Sequence, residues 1–451
     1  MNEELLKIID EEIENCRADL ARDTIRLIAV KSVRGEPRPG APFGEGPRAM
    51  LDTVMNWARE EGFYTEDHGV GVIHLAERAG QPDLGIWLHG DVVPEGEGWI
   101  YDPYKAVEYK GCIIGRGATD NKGQLCCIFH LFKIFKKLGI ELKYLPALYV
   151  GSNEESGMYD MRGLPGNPDA RGFINCCTPP RLSLVPDSGF PVGYGGKGGI
   201  NVRLRSKKPL HGITIKAGTT EAPGKAEAVI GGETLSSFSP PRHLTHPDPN
   251  GNMITGITDQ LLARTDVDPE DRSVLEFFRR LSLDIHGDSF GINVPTETMP
   301  PLTLAAFRIE MKDGCPEIFL NIRHPIEISS ETIRERLTQA TEDSSLSLSG
   351  FEVRSVPYLM DKNNPILLML RDIANGITGD NKEAYTLSGG TYAHTLPNAY
   401  VFGMDGCKKP EDFPQGRGGA HGMDELVSLD RLQRAMRIYA RALLALNETE
   451  W

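Results

Sequence analysis

Apolar residues recur along this chain at two periods. Between residues 3 and 29, Leu5, Ile8, Ile9, Ile13, Leu20, Ile25, Leu27 and Ile28 fall at helical spacing and predict one or two amphipathic helices. Residues 50–61 predict another helix, stopped by Gly62. Residues 124–138 carry the stripe Leu125, Ile128, Phe129, Phe132 and Phe135, closed by Gly139. Between these lie short, continuous apolar runs at 84–88, 144–150 and 182–185, which read as buried strands. Helices alternating with buried strands predict an α/β domain with a largely parallel sheet.

The pattern changes after Gly189. Residues 200–205 and 317–323 alternate apolar and polar, as half-exposed antiparallel strands do. Residues 253–263, 272–283 and 329–340 read as helices, and 207–250 is rich in Gly, Pro, Ser and Thr. The first character returns with a helix at 365–377, a strand at 400–402 and a closing amphipathic helix at 429–446. The expected organisation is a discontinuous α/β domain over 1–190 and 356–451, interrupted by an α+β insertion over 191–355. The hexad at 193–198, Gly-Tyr-Gly-Gly-Lys-Gly, satisfies G-x-G-x-x-G but precedes an alternating strand rather than a helix, so it is expected to be a hinge and not a dinucleotide loop.

Composition narrows the functional class. At 451 residues the chain is too long for one ordinary core. A formal net charge of −14 argues against nucleic acid or an anionic membrane as the main partner. No apolar run approaches the roughly 20 residues of a spanning helix, and the acidic start Met-Asn-Glu-Glu-Leu-Leu-Lys is unlike a signal peptide. The eight cysteines form no C-x-x-C and include two adjacent pairs, 126/127 and 176/177, which suits a reduced, cytoplasmic chain. No G-x-S-x-G or catalytic-cysteine context suggests a covalent nucleophile.

The chemistry gathers where the buried runs end. His89-Gly-Asp91 follows the first run, Glu154-Glu155 the second and Asp187 the third. In open α/β sheets the carboxyl ends of the strands are where sites form. Asp120 lies in a Gly-flanked turn, Gly117-Ala-Thr-Asp-Asn-Lys-Gly123, and His421 lies in Gly418-Gly-Ala-His-Gly422. Imidazole and carboxylate donors, one of them shared, with a nearby base, are what a two-metal hydrolytic site needs. Asp91, two residues after His89, suits the hydrogen bond that orients a ligating imidazole. Of Glu154 and Glu155, one is expected as ligand and the other as general base.

The motifs around these residues resemble those of the M20 metallopeptidases, and within them the dipeptidase V branch. They are H-G-D-V-V-P at 89–94, G-R-G-A-T-D-N-K-G at 115–123, G-S-N-E-E-S at 151–156, V-P-D-S-G-F-P at 185–191, N-I-R-H-P at 321–325, S-G-G-T-Y at 388–392 and A-H-G-M-D-E at 420–425. The resemblance implies a zinc-peptidase-like catalytic domain with an inserted lid. It implies that His89, Asp120 and Asp187 hold one metal and that Asp120, Glu155 and His421 hold the other. Glu154 would be the general base and Asp91 the residue that orients His89, and the Asp120–Asn121 peptide bond would be cis. In the lid, His243 would face the oxyanion, with His246 as its competitor, and Arg323 would clamp the substrate's C-terminal carboxylate. Gly389, Gly390 and Thr391 would form a substrate-contacting loop.

The expected activity is that of a dinuclear, metal-dependent dipeptidase using two divalent ions, Zn(II) first, with Mn(II) or Co(II) as alternatives. The same ligands would serve an N-acyl amino acid deacylase of the desuccinylase or deacetylase type, and the fold could also persist in a silent binding module. A large lid implies a monomer in this branch, and a homodimer is the alternative.

Overall fold

The computed structural model describes residues 2–164, 171–218, 224–239, 244–404 and 409–451. By internal contacts the chain divides into two compact units. One comprises Met1–Tyr194, Met360–Tyr385 and Thr391–Trp451, the other Gly195–Leu359 with Thr386–Gly390.

The first unit is built on a twisted sheet. Six of the sheet's nine strands lie in the order Tyr64–Asp67, Val72–Ala76, Pro146–Gly151, Leu84–His89, Leu182–Val185 and Ala399–Val401. The last four run parallel, and the first two add antiparallel pairings at one edge. Leu84–His89 is buried at every position because helices cover both faces. Trp87 can be buried there because its indole N–H donates to Ser183 Oγ at 3.1 Å.

The helices follow from the apolar stripes. Glu3–Asn15 and Arg17–Ile28 are separate, broken at Cys16. Gly123–Lys137 buries Leu125, Ile128, Phe129 and Phe132, and packs with the closing helix Leu429–Asn447 into one continuous core. The helix Glu45–Glu60 starts before the expected residue 50, because Pro47 sits in its first turn, where a missing N–H costs nothing. Pro269–Leu283 likewise begins earlier than expected, capped by Asp268, whose side chain accepts from the Glu270 N–H.

The second unit is a seven-stranded antiparallel sheet. Its order is Glu233–Phe238, Lys225–Ile230, Ile213–Ala217, Thr303–Lys312, Cys315–His324, Gly198–Ser206 and Leu346–Ser355. Helices Met253–Leu262, Pro269–Leu283 and Ser330–Glu342 pack on it around a separate core. The glycine-rich hexad contributes to strands Gly193–Gly196 and Gly198–Ser206, and no helix opens there. No helix among the described residues is long and apolar enough to cross a membrane.

Candidate metal centre

Three parallel strands deliver the donors. In register, His89 at the end of its strand pairs with Gly151 of the next, so His89 and the Glu154–Glu155 loop leave the sheet side by side. Gly151 is required at that point, because a Cβ there would come within 1.8 Å of the Tyr392 hydroxyl. Asp187 follows the strand Leu182–Val185. Asp120 comes from a tight turn at Ala118–Lys122, entered through the left-handed Gly117 (φ 87°). The Asp120–Asn121 peptide bond is cis.

Two groups of donors result, and Asp120 belongs to both. His89, Asp120 and Asp187 form one, and Asp120, Glu155 and His421 the other, with one ligand atom from each residue lying within 4.8 Å of the rest of its group. His89 Nε2 lies 2.9 Å from Asp120 Oδ1 and 3.9 Å from Asp187 Oδ1. His421 Nε2 lies 3.1 Å from Asp120 Oδ2 and 3.0 Å from Glu155 Oε1. The two oxygens of one carboxylate therefore face two different imidazoles.

The partners of Asp91 differ from a simple carboxylate–imidazole contact. His89 Nδ1 is 3.0 Å from the Asp91 main-chain carbonyl, whereas the nearest Asp91 carboxylate oxygen is 3.6 Å away. That carboxylate instead accepts the backbone N–H groups of Glu154 and Glu155, at 3.1 and 3.2 Å. Asp91 thus holds the His89 ring through its main chain and the glutamate loop through its side chain. Glu154 is buried, and its Oε1 has no hydrogen-bond partner.

The electrostatics are those of crowded carboxylates. Burial, followed by the charge of Asp187, holds the Glu154 carboxyl well above its ordinary range. Burial and then Asp120 do the same to Asp187 and raise Glu155. Burial works against protonation of His89, yet its contacts with Asp120 and Asp91 outweigh this and hold the imidazole well above its usual value. In His421 the same opposition is resolved by Glu155 and Asp120, which push it up to about 12. Four carboxylates this close, Asp120, Glu154, Glu155 and Asp187, repel one another unless protons or cations intervene. The donor set, oxygen and nitrogen in two groups sharing one carboxylate, fits two divalent ions.

Motifs and folded site agree with one known group of enzymes. The Peptidase family M20/M25/M40 model matches residues 86–445. The chain belongs to this family. An M20 peptidase is a hydrolase acting on peptide bonds. A Bacillus subtilis protein named "Putative dipeptidase YtjP" is 28% identical over 476 residues, covering 96% of this chain and 98% of that one. A Staphylococcus aureus protein, "Putative dipeptidase SAUSA300_1697", is 27% identical over 97% of this chain and 98% of its own length. The Saccharomyces cerevisiae di-peptidase Dug1p shares the fold, with a TM-score of 0.62 at 15% identity over 99% of each chain. So does human carnosine dipeptidase 1, with a TM-score of 0.59 at 15% identity over 98% of this chain and 100% of that one.

The remaining candidates of this M20 peptidase have mixed placements. Arg323 lies near the end of the second unit's strand Cys315–His324, in register with Gly199, and its Nε donates to Asn321 Oδ1 at 3.0 Å. The Lys197 ammonium, also in the second unit, is lowered to about 8 by burial and by the charge of Arg323. His243 lies outside the described residues, and His246 Nδ1 is 2.8 Å from Thr245 Oγ1. Gly389 and Gly390 belong to the second unit and Thr391 to the first. A Cβ on Gly389 would meet open space, and the Thr391 hydroxyl caps the turn Tyr392–His394.

Sequence reasoning missed the polar groups behind the donors. Asn121 Nδ2 donates to Asp187 Oδ1 at 3.0 Å and to the Pro186 carbonyl at 3.1 Å. Asp160 Oδ2 accepts the N–H groups of Ser152 and Asn153, at 2.8 and 3.0 Å, and the Tyr392 hydroxyl at 2.5 Å. Asn121 stands beside Asp120 in a motif already singled out, but its partner is 66 positions away in sequence.

Proposed function

We propose that this M20 peptidase is a dinuclear metal-dependent dipeptidase. The single observation that carries this reading is the pair of donor groups sharing Asp120, with the unpartnered carboxyl oxygen of Glu154 buried beside them. His89, Asp120 and Asp187 would hold one ion, and Asp120, Glu155 and His421 the other. Bound divalent ions, Zn(II) first with Mn(II) or Co(II) as alternatives, would supply an acidified water and a polarised scissile carbonyl.

The side chains do the rest. Glu154 accepts the proton of the attacking water at its free oxygen and passes it to the leaving amine nitrogen. In the metal-free site burial and the charge of Asp187 raise its affinity for protons, and bound cations would oppose that rise. Asp91 keeps Glu154 and Glu155 in place by accepting both of their backbone N–H groups. Asn121 orients Asp187. Arg323 fixes the substrate's C-terminal carboxylate with a planar, permanently charged fork, favouring short substrates. His243 stabilises the oxyanion, and Gly389, Gly390 and Thr391 contact the substrate backbone. The names of the Bacillus and Staphylococcus relatives support a dipeptide as substrate.

The test is a mixed panel of free dipeptides, tripeptides, N-acetyl and N-succinyl amino acids. Each is incubated with chelated and with Zn- or Mn-loaded protein. Cleavage of dipeptides alone, abolished by chelation, is expected. Cleavage of N-acyl amino acids alone would overturn the substrate and make the enzyme a deacylase. Turnover unaffected by chelation would overturn the metal mechanism.

A further inference from the structure

We infer that Glu425 is a positioning residue of the metal centre: with Arg116 it ties the turn carrying Asp120 to the loop carrying His421. The inference rests on the two-metal reading above. Glu425 is fully buried. Its Oε1 accepts the backbone N–H groups of Thr119 and Asp120, at 2.8 and 2.9 Å. Its Oε2 accepts the Gly117 N–H at 3.1 Å and Arg116 Nη1 at 2.7 Å. Arg116 is 1% exposed, lies 5.1 Å over the Trp99 ring and donates through Nη2 to the His421 carbonyl at 3.1 Å. The connection closes on itself: Asp120 backbone, Glu425 carboxylate, Arg116 guanidinium, His421 carbonyl, then four residues of chain back to Glu425.

Asp120 can serve both donor groups only if its carboxylate is turned so that Oδ1 faces His89 and Oδ2 faces His421. That orientation depends on a turn whose central residue has non-helical dihedrals (φ −131°, ψ 91°), so the helix does not supply partners for its N–H groups. One carboxylate supplies partners for two of them, on Thr119 and Asp120, and for the Gly117 N–H at the entrance to the turn. A glutamine could not. Its amide would turn N–H donors toward the Gly117 N–H and the Arg116 guanidinium, donor against donor, and would leave Arg116 buried without its counter-charge. At the other end, His421 is held in the left-handed region (φ 61°), which favours glycine, and Arg116 grips its carbonyl.

The experiment compares the full-length wild type with Glu425→Gln and with Glu425→Gln/Arg116→Met, which removes both charges of the pair and leaves neither stranded. Asp23→Asn serves as a control, because it removes the charge from another buried pair of the same unit, His130 Nε2 to Asp23 Oδ2 at 3.0 Å, neither member of which is a metal-donor candidate. Zinc affinity is read by competition with a chromophoric chelator, the site's geometry by the absorption spectrum of the cobalt-loaded protein, and folding by Tm. Both Glu425 variants are expected to lose zinc affinity by about 10–100-fold, the range for residues that orient ligands, and to change the cobalt spectrum. Their kcat should fall more than their KM rises. Asp23→Asn should lower Tm yet keep wild-type affinity and spectrum. Wild-type affinity and spectrum in a folded Glu425 variant would overturn the inference, and if the single variant does not fold, the double variant decides. A wild type that binds fewer than two ions would sink the two-metal reading first, and this inference with it.

Discussion

Glu154 buries a carboxyl oxygen, Oε1, that has no hydrogen-bond partner, and in a buried site that oxygen needs a purpose. Glu154→Gln keeps the shape and removes the base, so kcat is expected to fall by about 10²–10⁴-fold with zinc content unchanged. Steady-state kinetics beside metal analysis checks this. The pH dependence has a definite sign. A base must be deprotonated to act, and burial with Asp187 raises the pKa of Glu154. Two bound cations would oppose that rise, so activity is lost as pH falls through the pKa that Glu154 has in the metal-loaded site, and the acid limb of kcat/KM should report it. Zinc affinity follows a second sign: metal-free His89 and His421 hold protons more tightly than ordinary imidazoles, and those protons must leave before a metal binds. Apparent affinity should weaken with each step of acidification across the neutral range, and chelator competition at several pH values measures it. Asn121→Ala removes the N–H that orients Asp187 and should weaken zinc binding by about 10-fold or more. Equal affinity in that variant would make Asn121 a spectator.

At the scale of elements, strand and helix periodicity was legible where apolar runs were long or strongly spaced. The strands Leu84–His89 and Leu182–Val185, and the helices Gly123–Lys137 and Leu429–Asn447, fall where the pattern put them, within a residue or two. Helix starts were less legible. Glu45–Glu60 opens with Glu-Gly-Pro, which reads as loop until its first turn is seen to need no N–H from Pro47. The strands Tyr64–Asp67 and Val72–Ala76 drew no expectation: Tyr64–Asp67 is a short polar edge strand and Val72–Ala76 lies between it and Pro146–Gly151, so both take their form from the neighbours they pair with. Two stability changes follow from the packing. Phe129 is fully buried, 4.1 Å between centroids from Trp57 in an edge-to-face pair. Phe129→Ala should cost about 3–5 kcal/mol, read by denaturant unfolding of the metal-loaded protein. Asn364 caps the helix Pro365–Thr378 by accepting from the Ile366 N–H, and Asn364→Ala should cost only about 1 kcal/mol.

At the scale of the whole molecule, the proposed metals are expected to stabilise the fold as well as the chemistry, because they bind the folded donor set and not the unfolded chain. Chelation should lower Tm. Added zinc should raise it continuously with concentration, by about 2.7 kcal/mol of stability at a hundred times Kd. A Tm indifferent to chelator and zinc would count against a site built from these donors. The α/β class with a lid and the M20 family were both readable before the fold, the family because its motifs span most of the chain.

What the sequence determined by itself was local: the periodicity of the helices, the buried runs, and the placement of His89, Glu154, Glu155 and Asp187 just past the ends of those runs. These depend on neighbours within a few residues, and one chain carries that information in its order. What only the tertiary structure decided was contact between distant positions. It turned the two oxygens of Asp120 toward His89 and His421, gave the Asp91 carboxylate to the glutamate loop rather than to the His89 ring, and set Glu425 against the backbone of a turn about three hundred residues earlier. A hydrogen bond reaches about 3 Å, and no spacing along the chain records which groups the fold will bring that close.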